Sequence, residues 1–393
     1  DLYKFTTQQA VLAYYPEVPA KYQFFDRDKS RRYPQFFGDY LREKIQNFRN
    51  LTFSPSELEW LRRQDLFSSS YCDFLQNFRL NPDQVDIQIT KDEQLHLTVE
   101  GPWQEVILWE VPLLALISQA YFEEVDTEWD LDLSDYYILT LNKASELLEM
   151  GAHFAEFGTR RRRNFSVQEI AIRAIRSAAM GMQGTAEGTF QGTSNLYFAQ
   201  RYGLRSSGTM PHEWIMAHEV LFGLREAMPK AFDRWLQVHQ GKHAIALTDT
   251  FTVNLFFSQF TGHQAERYVG LRHDSGDPFQ FCEQAIAYYQ ECGIDPGSKL
   301  LLFSDGIDLH LASRLLSQVG GRVQLGFGIG TFLTHDFPLG TNRGMVLKLT
   351  GIDGKPAVKT TSDPAKATGD PQRVKSLFQE IVQLEYSLEK EAG

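Results

Sequence analysis

Cysteine is scarce in this chain: Cys72, Cys282 and Cys292 are the only three in 393 residues, with no CxxC pair among them. An odd, scattered set gives neither a disulfide framework nor a cysteine-held zinc site, and a reducing cytoplasm is the compartment it fits. A basic and apolar leader with a cleavage site is also missing, so no secretory signal is expected. Long apolar runs are absent as well. The most apolar segment, Val106 to Phe122, contains Glu110 and Pro112 and is short for a bilayer, so it reads as a buried helix. Positive charge is in deficit, with 39 Lys and Arg against 50 Asp and Glu and a formal net charge of −11. That excludes a general nucleic-acid binder, which needs a basic face, but not an anionic ligand held by a local arginine cluster. Neither GxGxxG nor a Walker loop occurs, and HExxH fails at His212 because Met216 stands where the second histidine belongs. Internal repeats and low-complexity linkers are lacking too.

What remains is an ordinary globular composition, 42% apolar and 23% charged, rich in Phe (29) and Tyr (16). The first 130 or so residues mix helical patterns at Asp39–Phe48 and Pro55–Gln64 with alternating runs at Val85–Ile89 and Leu95–Val99, the mark of a hairpin. From about Met150 short apolar runs recur, each ending in Gly, Ser, Thr, Asp or Arg, with helical stretches between most of them. Six are clear: His153–Gly158, Gly188–Thr193, Ala244–Asp249, Tyr268–Arg272, Lys299–Asp305 and Arg322–Gly328. Strands alternating with helices make a parallel sheet, and polar groups at their C-terminal ends collect where such sheets carry their sites. The expected fold is α/β, an irregular TIM-like barrel with a discontinuous N-terminal α+β domain. Residues 1–135 plus 345–393 form the N-terminal domain, and 136–344 form the barrel. Met345–Leu349 and Pro356–Thr360 read as a further hairpin around Asp353-Gly354, Gln372–Glu391 as a terminal helix, and this whole tail is expected to rejoin the N-terminal unit.

Chemistry concentrates in a few places. His212 follows Gly208 and Thr209 and leads into a helix predicted over Glu213–Glu226, where the helix dipole and free N–H groups favour an added phosphate. Arg160 to Arg163 is the one strong basic run, straight after a strand tip, and a guanidinium fork suits carboxylate or phosphate. The sequence leaves open which of the four faces inward. Phe157 offers a face to a flat ring, and Gly326-x-Gly328-x-Gly330-Thr331 offers backbone N–H groups to a phosphate, or simply a tight turn. Asp274 and Asp305 suit ribose hydroxyls or Mg²⁺, whereas Asp277 and Asp308 fit helix N-caps.

Five of these stretches, Phe157–Arg162, Ser207–Trp214, Leu271–Pro278, Phe303–Asp308 and Gly326–Thr331, stand in the order found in nicotinate phosphoribosyltransferases. With Leu2-Tyr3-Lys4 at the start, the chain resembles that family over nearly its whole length. The resemblance implies formation of nicotinate mononucleotide and pyrophosphate from nicotinate and 5-phosphoribosyl 1-pyrophosphate, coupled to ATP hydrolysis through a phosphohistidine, in NAD biosynthesis. It implies Mg²⁺, a homodimer, His212 as phosphoryl acceptor, and Arg160, Arg272 and Asp274 as catalytic residues. Phe157 would stack on the pyridine, Tyr3 would cover its other face from the partner subunit, and Thr193 and Ser194 would meet the base. Asp305 and Gly306 would hold the ribose, and Gly328, Gly330 and Thr331 the 5-phosphate. The metal ligands stay unassigned. Nicotinamide phosphoribosyltransferase is the near alternative. That family carries an aspartate after the shared Gly-Thr; here Gly192-Thr193 is followed by Ser194, which can donate to a carboxylate. A non-catalytic phosphoribosyl or nucleotide sensor on the same fold is the alternative from another class.

Overall fold

The computed structural model describes residues 1–127, 132–242, 244–337, 344–361 and 366–392. Two sheets organise the chain. The first is antiparallel and is built from β1 (Pro19–Asp26), β2 (Val85–Ile89) and β3 (Leu95–Pro102). The second, from β4 (His153–Glu156), β5 (Thr189–Thr193), β6 (Ile245–Leu247), β7 (Gly270–His273), β8 (Leu300–Phe303) and β9 (Gln324–Ile329), is parallel throughout. The chain then returns to the first sheet with β10 (Met345–Ile352) and β11 (Lys355–Pro356).

The antiparallel order is β11-β10-β1-β3-β2. Residues of β1 alternate between burial and exposure along most of its length, the pattern of a sheet with one face on the core. The hairpins predicted from alternation are both present. Glu93 (φ 57°) turns β2 into β3, and Asp353 (φ 50°) with Gly354 (φ 70°) turns β10 into β11. The second strand of the latter is shorter than its apolar pattern implied.

All six strands read from the apolar runs occur, in the order β5-β4-β9-β8-β7-β6. Consecutive residues Leu301, Leu302 and Phe303 in β8 and Leu325 to Ile329 in β9 are buried, as expected of strands covered on both faces. The sheet curls round on itself. One cavity of about 650 Å³ is lined together by Phe154 of β4, Ile245 of β6, Leu302 of β8 and Leu325 of β9, although three strands separate β4 from β6 in the sheet order. Among the described residues β5 and β6 do not pair; Thr193 instead bridges to Ser206. This is the irregular barrel the sequence predicted.

Three local expectations change. The helix predicted over Glu213–Glu226 is two helices, His212–Phe222 and Leu224–His239, broken at Gly223 (φ 78°, ψ 161°), a conformation other residues rarely adopt. The terminal helix Pro371–Ala392 does not rejoin the N-terminal unit with β10. It lies on barrel helices through Arg373–Glu219 (2.6 Å), Arg225–Glu391 (2.9 Å) and Thr252–Glu385 (2.5 Å). The apolar segment near Val106 belongs to a helical stretch, Trp103–Glu124, that by length and composition could cross a membrane; 72% of its most apolar window is buried inside the protein, as a core helix.

The N-terminal helix Leu2–Tyr14 joins the two sheets. Its first N–H donates to the Ser194 carbonyl at 2.7 Å, beside the end of β5, and Tyr15 at its far end stacks on Trp103 and packs against Trp214. The residues opening this helix thereby reach the mouth of the barrel.

Candidate active site

The C-terminal ends of the strands open into a cleft with two lobes that share Phe157, Arg160, Arg161, Arg272, Asp274, Ser304 and Asp305. One lobe reaches His212, Tyr3 and Ser194; the other, about 320 Å³, reaches Gly306, Gly328, Gly330 and Thr331. Phe157 lines both, and a Cβ on Gly328 would overlap its ring. Gly328→Ala is therefore expected to displace that ring at about 1–3 kcal/mol of overpacking, seen as a raised KM for the ring-bearing substrate at modest loss of stability.

A buried carboxylate ties the first lobe together. Glu156, at the end of β4, accepts from the Gly158 N–H (2.5 Å), Gln168 Nε2 (3.0 Å) and the Thr193 hydroxyl (2.6 Å), while its own carbonyl accepts from the Ser194 N–H (2.8 Å). It thus fixes the loop carrying Phe157 and Arg160 against the loop carrying Ser194. Burial raises its pKa, and the three hydrogen bonds work the other way. The Ser194 hydroxyl lies buried with no hydrogen-bond partner among the described residues, on the wall of the cleft. A donor left open in a polar cleft is a ready place for an acceptor on a ligand.

His212 opens its helix as the first residue after Pro211. Its Nδ1 lies 3.0 Å from Thr250 Oγ1, and its Nε2 faces both Asp274 Oδ2 (3.1 Å) and Lys359 Nζ (2.9 Å). Burial, and next the Lys359 ammonium, push the imidazole pKa down to about 4, so the ring is neutral at neutral pH and keeps a lone pair. Burial opposes the charge on Asp274, yet Arg272 and His212 hold its carboxyl well below the usual range. Arg272 spends its guanidinium on protein partners, with Ser304, Thr209 and Asp274 each at 2.8 Å.

The basic run divides by position. Arg160 and Arg161 line the cleft, whereas Arg162 bonds Gln168 and covers Phe165. Arg163 is buried against Phe122 and Phe337. Arg160 also lies over the Tyr3 ring, 5.5 Å from its centroid, and pairs with Glu110 at 3.2 Å. Tyr3 was expected from a partner subunit; here it is the chain's own Tyr3 that stands in the chain's own cleft, because its helix is anchored at Ser194.

The structure gathers His212, Arg160, Arg272, Asp274, Tyr3, Phe157, Ser194 and Asp305 in the first lobe, and Gly306, Gly328, Gly330 and Thr331 in the second. Thr193 is the exception, turned away to Glu156. Asp277 and Asp308 cap helices, as their positions suggested. Sequence reading missed Asp249, which the end of β6 buries within reach of His212 and Asp274. The signal was there, since Thr248-Asp249 ends an apolar run like the others. It also missed Lys348, Lys359 and Lys366, which β10 and the segment after β11 bring to the cleft. Burial brings Lys348 down to about 8. No local pattern distinguishes these lysines from surface ones.

A barrel whose strand ends hold a neutral buried histidine among arginines, lysines and phosphate-sized glycine turns defines an enzyme that handles anionic substrates, on the fold of phosphoribosyl-transferring barrels. Comparison makes that class particular. The chain belongs to the nicotinate phosphoribosyltransferase family: the model of that family matches residues 152–385, and the model of its N-terminal domain matches 1–118. The nicotinate phosphoribosyltransferase of Methanococcoides burtonii is 40% identical over 386 residues, covering 94% of this chain and 93% of that protein. That of Escherichia coli is 38% identical over 372 residues, 93% and 90% of the two chains. Among solved structures, the nicotinate phosphoribosyltransferase of Porphyromonas gingivalis superposes with a TM-score of 0.90 at 32% identity, over 97% of each chain. A putative nicotinate phosphoribosyltransferase of Saccharomyces cerevisiae gives 0.92 at 31% identity, over 97% and 96%.

Proposed function

We propose that this chain forms nicotinate mononucleotide and pyrophosphate from nicotinate and 5-phosphoribosyl 1-pyrophosphate, a step of NAD biosynthesis, with ATP hydrolysis coupled through phosphorylation of His212. The observation that carries the reading is the neutral His212 sharing one cleft with the Arg160, Phe157 and Ser194 set. Arg160 and the Ser194 hydroxyl take the nicotinate carboxylate, and Phe157 and Tyr3 sandwich the ring. Gly328, Gly330 and Thr331 cradle the 5-phosphate, and Asp305 and Gly306 take the ribose. The pyridine nitrogen attacks the anomeric carbon; the new C–N bond forms as the C–O bond to pyrophosphate breaks, and pyrophosphate leaves with that electron pair. The nucleophile carries no proton, so no base is needed. Positioning and stabilisation of the departing charge by the cationic rim do the work.

Mg²⁺ fits the acidic side of the cleft. Asp249 Oδ1 is buried without a hydrogen-bond partner among the described residues, and Asp274 stands beside it, giving hard oxygen donors. Bound there, the ion would offset polyphosphate charge. Assembly as a homodimer belongs to the same reading.

The test is product chromatography with nicotinate or nicotinamide, phosphoribosyl pyrophosphate and Mg²⁺, with and without ATP. Nicotinate mononucleotide that rises with ATP, alongside ADP, is the expected result. Product from nicotinamide alone would mean that Ser194 does not select the acid, and no product from either base would favour a ligand sensor. His212→Ala is expected to abolish the ATP stimulation and leave a slower, uncoupled synthesis; full ATP-dependent turnover in that variant would remove His212 from its role.

A further inference from the structure

The cleft takes Tyr3 from its own chain, so the site itself does not dictate where a second copy sits. The surface does. Among the described residues, the exposed large apolar side chains are spread one or two to an element, except on the terminal helix Pro371–Ala392. There Phe378, Val382 and Tyr386 are 44%, 53% and 60% exposed, and their i, i+4 spacing keeps them on one face. Lys390 lies over the Tyr386 ring, 4.4 Å from its centroid, and still leaves that ring mostly exposed. This is not the face that holds the helix to the barrel. Leu377 and Ile381 do that; both are wholly buried, and each lies about 100° round the helix from its exposed neighbour. A surface helix needs one apolar face for its core, so a second one points to a partner.

The charges at the ends of the stripe select that partner. Val382 is the centre, Phe378 and Tyr386 lie one turn to either side, and exposed Lys375 and Glu389 lie two turns to either side. When two identical helices pair antiparallel about Val382, each residue meets the one equally far beyond the centre. Phe378 then packs on the partner's Tyr386, and Lys375 faces the partner's Glu389, each contact occurring twice. A parallel pairing would instead set lysine on lysine and glutamate on glutamate. We propose that this stripe is the contact between two copies of the chain, with its two-fold axis at Val382. The proposal rests on the homodimer of the reading above and gives it a surface; it is independent of the chemistry. Four turns of helix bury less than the roughly 800 Å² per partner of a standard interface, so the dimer is expected to be of micromolar strength.

The experiment is sedimentation equilibrium of the full chain over about 1–100 µM, in low salt, where exposed ion pairs are least screened. The wild type is expected to pass from monomer to dimer in that range. Val382→Glu sets two carboxylates against each other on the axis and is expected to raise the dimer dissociation constant about 10²-fold. Val382 faces solvent in the single chain, so the circular dichroism should not change. Lys375→Glu and Glu389→Lys should each weaken the dimer. Both together in one chain should restore it, because the two pairs are then reversed as a unit. None of these three residues lines the cleft, so turnover should be kept in every variant. A dimer of wild-type strength in Val382→Glu overturns the proposal and leaves the homodimer to another surface. A combined charge reversal no stronger than either single one overturns the axis at Val382, and the proposal with it. A wild-type chain that stays monomeric throughout overturns the homodimer and its surface together; co-sedimentation of that monomer with phosphatidylglycerol vesicles would give the stripe to a membrane.

Discussion

Lys4→Met is expected to lower the stability of this enzyme by about 3–5 kcal/mol, the range for breaking a buried ion pair on one side only. Lys4 is 1% exposed and pairs with two buried carboxylates, Glu213 at 2.5 Å and Glu110 at 2.6 Å. Glu213 in turn accepts from the Tyr22 hydroxyl (2.7 Å), which accepts from Trp103 Nε1 (2.9 Å). Burial works against the charge on Glu110, but Lys4 and then Arg160 hold its pKa at about 2. Remove the ammonium, and two largely buried carboxylates share what is left. The measurement is chemical denaturation of the variant beside the wild type. A second chain carrying Lys4→Met with Glu213→Gln should recover part of the loss, since one uncompensated charge is then gone. An unchanged midpoint would show that water enters this cluster. Activity should fall as well, because Lys4 links Glu110, the partner of Arg160, to Glu213, the neighbour of His212.

The second large effect is expected at Arg160. Arg160→Ala should reduce kcat/KM for nicotinate by about 10²–10³-fold, as loss of one or two charge-assisted hydrogen bonds to a carboxylate implies. Most of the loss should appear in KM for the base, with phosphoribosyl pyrophosphate affected less. Stability should change little, since Glu110 keeps Lys4 and the Arg160 side chain is about one-third exposed in the cleft. The check is steady-state kinetics with each substrate varied in turn, on wild type and on Arg161→Ala as a neighbouring control. Equal losses in both variants would mean that the run acts as a diffuse positive field and not through one fork.

The parts of this site legible in the sequence share a cause. In a parallel α/β sheet every strand points the same way, so residues that end separate apolar runs are delivered to one rim. That rule alone placed Arg160, Asp274, Asp305, Gly328 and Gly330 together, and helix capping set Asp277 apart from them, whereas Asp308 caps its helix and still lines the second lobe. Thr193 escaped the rule. Gly192, at φ 107°, twists the end of β5 so that Thr193 turns to Glu156 and Ser194 to the cleft. The break at Gly223 escaped it as well, since an isolated glycine is tolerated inside a helical pattern and does not by itself mark an end.

The sequence by itself determined the alternation of strands and helices, the barrel, the family and the placing of a histidine at a helix start. All of these rest on local periodicity or on short ordered motifs. Only the tertiary structure decided that Arg160 and Arg161, and not Arg162 and Arg163, face the cleft. It alone laid the terminal helix on the barrel and set Lys4 between two glutamates. It alone set Lys359 on His212, 147 residues away along the chain. A lysine on a short hairpin looks the same in sequence whether it meets solvent or a buried imidazole. What distinguishes the two is the return of β10 to β1, a long-range pairing that carries the chain back across the mouth of the barrel.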